Sequence, residues 1–498
     1  MFDLFAQSVV HLFVPSTLAI MLAGLLLGLF FGALPGLSAT MAVALLLPVT
    51  FAMSPDVGIA MLVAAYIGGV SGGLVAAALL RIPGTPSSIA TTFDAYPLAQ
   101  KGEAVKALST GVVASAVGNL FSLAVLVGLA PSLAALAIRF GAQEYASLTF
   151  AALMLVVVLS QADLLKGLAS AFLGLAIATI GFAPIGATQR FTFGNIDMMA
   201  GVGIVPFMVG LFAISQVMRE LLEPAVKARA GFDVRGSAVR LGEFVANGFN
   251  MLRSAVIGVC IGILPGIGGS ASNLVAYGAA RQASRTPEKF GKGALEGIYA
   301  SETANNASIG GALLPLLTLG IPGDGVTAIL IGGFTIHGIQ PGPLLFQREA
   351  GLVAMVYAAF LLATIILLLV QLWTIRLFPR VLLVPRHLLL PILAMLMVVG
   401  TYAGENRLFD VWLMLGFGVL GYLFERFGFP LAPMVLGFVL GPLFETNLRR
   451  ALMFANGDLT TFFTRPLSGG LLVLAMVILV YGIYSNLKNR RSAKTAPD

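Results

Sequence analysis

The sequence predicts an all-α polytopic integral membrane protein: about ten to twelve transmembrane helices, some of them re-entrant or broken, in two inverted repeats. Three observations lead there. Of the 498 residues, 58% are hydrophobic and only 10% charged, where a soluble domain carries roughly 25% charged residues. Many apolar runs approach or exceed the ~20 residues that cross a bilayer as helix. One motif is also written twice. Gly28-Leu29-Phe30-Phe31-Gly32-Ala33-Leu34-Pro35-Gly36 recurs as Gly258-Val259-Cys260-Ile261-Gly262-Ile263-Leu264-Pro265-Gly266, and Gly72-Gly73 leading to Ile82-Pro83-Gly84 recurs as Gly310-Gly311 leading to Ile321-Pro322-Gly323.

The apolar segments fall near 10–33, 37–53, 57–80, 105–137, 145–160, 167–184, 198–218, 255–280, 294–319, 326–346, 350–376, 387–403, 409–424, 429–443 and 466–487. Several must be half-helices or hairpin arms. Met1 to Gln7 lack the basic start of a cleaved signal peptide, so the first run reads as a retained span. Residues 81–104 are polar and rich in proline and glycine. The expected organisation is a first inverted repeat over 1–220, a cytoplasmic loop with an interfacial helix over 221–254, a second inverted repeat plus C-terminal helices over 255–487, and a basic cytoplasmic tail over 488–498. Residues 219–253 carry Arg219, Lys227, Arg229, Arg235, Arg240 and Arg253 among apolar residues, the composition of a helix lying at a membrane surface.

The net charge of +7 fits cations in loops beside spans better than nucleic-acid binding. Arg281, Arg285, Lys289 and Lys292 follow the second Leu-Pro-Gly arm and place that loop in the cytoplasm. The matching loop of the first copy, around Ser54-Pro55-Asp56, has no lysine or arginine and belongs on the other side. Equivalent loops on opposite sides mean that the copies are inverted. The loop with Arg376, Arg380 and Arg386, and the C-terminal Lys488, Arg490, Arg491 and Lys494, belong in the cytoplasm. The single cysteine, Cys260, excludes an intramolecular disulfide.

The breaks carry the functional expectation. Proline removes a backbone donor and clashes with the helical path, and freed backbone groups must line protein or a wet cavity rather than lipid. Paired interruptions in two halves of a membrane chain point to a transporter site. Small polar residues surround each break. We expect Pro35, Gly36, Ser38, Thr40, Gly84, Thr85, Ser87, Ser88, Gly266, Ser270, Ser272, Asn273 and Gly323 to bind an anionic substrate, with helix starts aiming N–H groups at it. Asp324, Glu302, Asn305, Asn306 and Thr327 are the candidates for coupling to Na⁺ or a proton. Asp324 follows a break directly and would line the cavity or serve as a helix N-cap. Glu302, with Ser301, Asn305 and Asn306, would coordinate a cation or form an interhelical hydrogen-bond cluster. Close helix packing by Gly, Ser and Thr is the competing explanation for any single break.

Other chemistries fit less well. No Gly-x-x-x-x-Gly-Lys-[Ser/Thr] motif occurs, so ATP hydrolysis within this chain is not expected, nor is any cofactor beyond a coupling ion. Gly69-Val70-Ser71-Gly72 looks like the nucleophile segment of intramembrane serine proteases, but no histidine sits in a setting suited to a base. An intramembrane hydrolase and a passive anion channel are the alternatives to a transporter.

The duplicated Gly-x-x-x-Gly-x-Leu-Pro-Gly motifs, Arg81-Ile82-Pro83-Gly84-Thr85-Pro86-Ser87-Ser88, Asp94-Ala95-Tyr96-Pro97-Leu98-Ala99, Ser301-Glu302-Thr303-Ala304-Asn305-Asn306-Ala307 and His337-Gly338-Ile339-Gln340-Pro341-Gly342-Pro343 together resemble the large membrane subunit (TctA-type) of tripartite tricarboxylate transporters. The resemblance spans nearly the whole chain and weakens after about residue 385, where only hydropathy matches. It implies a multi-pass secondary active transporter of the bacterial inner membrane. It also implies a small membrane subunit, a periplasmic solute-binding protein, organic carboxylate substrates such as di- and tricarboxylates, and uptake coupled to Na⁺ or H⁺.

Overall fold

The computed structural model describes residues 2–159, 163–222, 234, 236–266 and 268–495. Helices account for nearly all of the regular structure. In chain order they are α1 (Phe2–Leu12), α2 (Pro15–Ala33), α3 (Ala39–Leu46), α4 (Pro55–Leu80), α5 (Thr91–Leu98), α6 (Ala104–Ala137), α7 (Ala142–Leu159), α8 (Leu164–Ala178) and α9 (Ile204–Leu222). There follow α10 (Gly248–Gly262), α11 (Gly268–Ala283), α12 (Leu295–Leu319), α13 (Gly325–Ile336), α14 (Ala350–Thr374), α15 (Arg386–Glu405), α16 (Leu408–Arg426), α17 (Leu431–Phe454) and α18 (Pro466–Thr495). Ten helices among the described residues are long and apolar enough to cross a membrane. The apolar helices over Ala39–Ala52, Gly248–Gly262 and Gly325–Ile336 are too short for it. These are the arms beside the breaks.

Two helices form the axis of the fold. α4 is buried at every residue from Val57 to Leu79, and α12 from Gly297 to Thr318. Both are rich in glycine, alanine and serine, which let neighbouring backbones approach where lipid supplies no hydrophobic drive. Gly24, Gly28 and Gly32 of α2 lie against Met61, Ala65 and Gly69 of α4. The numbers rise together, so α2 and α4 are parallel. A Cβ on Gly28 or Gly32 would strike the carbonyl oxygen opposite. After Pro35 the chain reverses. Ala39 lies beside Gly69, and Thr50, beyond the end of α3, lies beside Gly58, so this stretch runs antiparallel to α4. The turn sits inside the protein, because α4 continues about two turns past it.

The second copy repeats this arrangement. Gly258 and Gly262 of α10 lie against Ala304 and Ser308 of α12, in parallel. In α11, Gly269 meets Asn305, Asn273 bonds to Ser301, and Tyr277 touches Gly297, in antiparallel order. Each long helix then ends in a left-handed residue, Arg81 (φ 59°) or Gly320 (φ 72°). The chain doubles back, and Gly84 packs on Gly73 and the Gly32 carbonyl as Gly323 packs on Ala312 and the Gly262 carbonyl. The structure corrects one sequence alignment here. Gly262 meets Gly311 where Gly32 meets Gly72, so the equivalent of Gly72 is Gly311 rather than Gly310.

Lys227, Arg229 and Arg235 lie outside the described residues. Of the expected loop region, a short helix at Leu241–Ala246 exposes Leu241 and Val245. Helix α10 begins at Gly248, inside the segment read as loop, where Asn250 donates to the Glu296 carbonyl (2.9 Å). Helix α18 runs to Thr495, through most of the segment read as a tail.

Candidate functional site at the four helix breaks

The two doubled-back segments exchange partners. The first, through Ser87 and α5, packs on α11 and α12 of the other half: Ser87 lies beside Gly269, Asn273 Oδ1 accepts from the Ala90 N–H (2.7 Å), and the Thr91 hydroxyl donates to Glu302 (2.5 Å). The second, Asp324 and α13, packs on the first half. Gly325 lies beside Thr40, Gly333 touches Ile59 and Leu62, and the Tyr66 hydroxyl donates to Asp324 Oδ2. The four breaks therefore meet inside the protein.

At the first turn, Pro35 and Gly36 (φ 88°) form the tip, and Ser38 caps α3 by accepting from the Met41 N–H (3.1 Å). The tip is covered from α9: Gln216 donates to the Gly36 carbonyl, and the Glu220 carboxylate lies where a Gly36 side chain would project. At the second turn, the Gly266 N–H (φ 81°) donates to the Gly323 carbonyl (2.8 Å), and Val156 of α7 covers the glycine. Ser270 is half-buried in the first turn of α11. Ser272 donates to the Gly269 (2.9 Å) and Ala304 (3.2 Å) carbonyls. Thr85, Ser87 and Ser88 form a hydroxyl cluster, with Thr85 3.1 Å from Ser87 and 2.9 Å from Ser88. Gly84 is buried beneath them.

The residues expected to couple an ion divide into two clusters. Asp324 caps α13, with Oδ1 accepting from the Thr327 N–H (2.8 Å) and hydroxyl (2.7 Å). Glu302, Asn305 and Asn306 are fully buried on α12. Glu302 accepts from Thr91 of α5 and from Ser115 of α6 (3.1 Å). Asn306 accepts from the Ser71 hydroxyl (2.6 Å) and donates to Ser115 (2.8 Å). Asn273 of α11 joins through Thr91 (3.3 Å) and the Ser301 carbonyl (3.2 Å). Asn305 lies alongside Glu302 and against Gly269, but its amide makes no hydrogen bond of normal geometry. A buried carboxylate in such a ring of hydroxyls and amides is hydrogen-bonded without a cationic side chain, an arrangement that suits a mobile cation or proton. The Ser71 hydroxyl donates to Asn306, an amide that cannot act as a base toward it.

Sequence reasoning missed several partners. Asp94 is fully buried, and its Oδ1 accepts from the Gly291 (2.9 Å), Gly293 (2.8 Å) and Ala294 (2.8 Å) N–H groups while Oδ2 accepts from Tyr277 (2.9 Å). It ties α5 to the start of α12. Tyr66, Ser115, Gln216 and Glu220 were also unforeseen. Their only signal was a polar or ionisable group within an apolar run. Arg81 is exposed, with its guanidinium 5.9 Å from the centre of the Tyr96 ring. A cavity of about 1160 Å³ lies beyond the end of α12 and reaches Leu319 and Gly320, next to the second Ile-Pro-Gly break.

Residues 18–436 match the family model described as the tripartite tricarboxylate transporter TctA family. An uncharacterized 52.8 kDa protein in the TAR-I ttuC' 3' region of Agrobacterium vitis is 34% identical over 468 residues, covering 94% of this chain and 93% of that one. An uncharacterized protein in the TAR-II ttuC' 3' region of the same organism is 36% identical over 234 residues, covering 47% of this chain and 97% of its own length. No solved structure matches the chain.

Proposed function

The chain belongs to the tripartite tricarboxylate transporter TctA family, a transporter family rather than an enzyme family, and from that premise we propose that it is the large permease subunit of a binding-protein-dependent secondary transporter. It imports organic di- or tricarboxylates across the bacterial inner membrane, coupled to Na⁺ or H⁺, with a small membrane subunit and a periplasmic solute-binding protein as partners. Its C-terminus is cytoplasmic. Its two halves act as inverted repeats. In support, α2 pairs with α4 as α10 pairs with α12, while Gly111 meets Leu74 and Ser115 reaches Asn306, itself bonded to Ser71, so α4 runs opposite to α6 and α12.

The observation that carries the reading is the exchange of doubled-back segments between halves. Four backbone interruptions meet inside the protein, lined by Thr85, Ser87, Ser88, Ser270 and Asp324. Helix starts and hydroxyls there receive the substrate carboxylates. Glu302 and Asp324, each ringed by hydroxyl oxygens, hold the coupling ion. Alternating access follows from moving one half against the other around that point.

The test is uptake of labelled citrate, succinate and an aromatic carboxylate by proteoliposomes holding both membrane subunits and the binding protein, with and without Na⁺ and with an imposed pH gradient. Accumulation that needs the binding protein and one of the gradients is expected. Gradient-independent conductance would replace this reading with a channel. Normal uptake by correctly inserted Gly84→Leu, Gly323→Leu and Asp324→Asn variants would remove the site from the breaks.

A further inference from the structure

We propose that the cavity beyond the end of α12 is a water-filled anion vestibule whose unpaired Arg450 draws organic anions toward the second break. The anion's identity as transported substrate rests on the transporter reading above. The vestibule itself does not.

The cavity measures about 1160 Å³ and is bordered by the ends of α6, α8 and α12, the side of α13, and α17. It reaches Leu319 and Gly320, where α12 turns into the second Ile-Pro-Gly break, and it lies at the end of α12 opposite the Arg281–Lys292 loop. Its walls are unusual for a helical protein. Residues 199–203 and 340–344 line it and are not helical. Main-chain groups freed from helices in a membrane protein are tolerated only against protein or water, and here they border an open cavity, which favours a wet wall.

The charges sort themselves. The cavity wall carries Glu405, Asp410 and Glu445, and every one of them has an arginine. Glu445 accepts from Arg190 (2.6 Å) and Arg449 (2.8 Å). Arg407 lies 3.6 Å from Glu405 and 3.9 Å from Asp410. Arg450 also lines the cavity, is exposed, and has no ion-pair partner among the described residues. Arg190, which also lines the cavity, is paired with Glu445, so Arg450 is the cavity arginine without an ion-pair partner among the described residues. An uncompensated positive charge in a water-filled pocket with low-dielectric walls concentrates anions. Tyr145, Thr335 and Gln340 add neutral polar groups along the wall toward α12 and α13.

The test needs no knowledge of the substrate. Cys260 is replaced by serine, and single cysteines are placed at Thr335→Cys or Gln340→Cys. The purified protein, checked for a monodisperse profile, is reacted with an anionic (2-sulfonatoethyl) and a cationic (2-trimethylammonioethyl) methanethiosulfonate. Both positions are expected to react, with the anionic reagent favoured. Arg450→Gln should cut the anionic-to-cationic rate ratio about threefold or more at low salt, and Arg450→Lys should keep it. Failure of both cysteines to react in folded protein overturns the wet vestibule. A ratio unmoved by Arg450→Gln overturns the anion role. An effect seen only in vesicles containing anionic lipid, and absent in detergent, assigns Arg450 to lipid headgroups and also overturns it. In a transporting preparation, Arg450→Gln should raise KM with little change in kcat. A labelling result as expected, with no carboxylate uptake under any gradient, would leave the vestibule standing and sink the transporter reading.

Discussion

The two copies of the broken-helix motif share a backbone and differ in side chains. In both, a parallel helix pair touches through glycines, a hairpin turns inside the protein, and a doubled-back segment crosses to the other half. Yet Thr85 and Ser88 stand where the second copy has Asp324 and Thr327, and Tyr66 stands where the second copy has Asn305. The first tip is covered by Gln216 and Glu220, the second by Val156. Close packing constrains the frame, since any Cβ at the crossing points meets main chain. The polar groups beside the breaks are free of that constraint. A frame with two equivalent ends thus places a carboxylate, Asp324, directly after one break and neutral hydroxyls, Thr85 and Ser88, after the other.

That comparison can be broken most severely at the crossings. Gly32→Leu and Gly262→Leu should both abolish folded protein, because the side chain would enter the Gly69 or Ser308 carbonyl. Overpacking costs typically ~1–3 kcal/mol even where neighbours yield, and here the neighbour is backbone. Detergent-solubilised yield and thermal unfolding measure this. A severe loss in one copy alone would refute equal packing.

The breaks should respond unequally. Asp324→Ala removes the cap of α13, which costs about 0.5–2 kcal/mol, and strands the Tyr66 hydroxyl. Thr85→Ala removes only neutral hydroxyl contacts, each about 0.5–1.5 kcal/mol. We expect uptake to vanish in the first and to weaken in the second. Equal effects would mean that the carboxylate has no separate role.

A smaller gain is expected at the turn after α4. Arg81 holds a left-handed conformation that the second copy gives to Gly320. Arg81→Gly should stabilise by up to ~1 kcal/mol in a thermal scan, since the conformation strains a residue with a Cβ. Destabilisation would show that the Arg81–Tyr96 contact outweighs the strain.

The smallest effect lies where the loop region meets α6. Lys106 bonds to Glu243 (2.6 Å), and that hydrogen bond holds the carboxyl below the ordinary glutamate range. A lowered value stabilises the fold above the unfolded-state pKa, and the contribution fades as pH falls through the lowered one. The group is partly solvated, so the gain is at most about 0.2–1 kcal/mol. Glu243→Gln should lower Tm slightly at pH 7 and not at all once the wild-type carboxyl is protonated. A pH-independent difference would point to packing instead.

Membrane residence, the helical class, the duplication and the positions of the breaks were legible in the sequence, because hydropathy, proline and glycine act locally. The pairing of Gly72 with Gly311 was not. Letter matching favours Gly310, whereas the crossing is set by spacing from the break. The Glu302 and Asp324 environments were equally hidden. Thr91 and Glu302, or Tyr66 and Asp324, lie more than two hundred residues apart, and no local pattern encodes their meeting.

The sequence by itself determined where this chain stops being a regular helix, since a missing donor and a missing Cβ act within one turn. Tertiary structure alone decided which breaks face one another and which polar groups they share. In lipid, helices associate through small-residue contact and hydrogen bonds rather than through hydrophobic drive, so those choices are made only when distant segments touch.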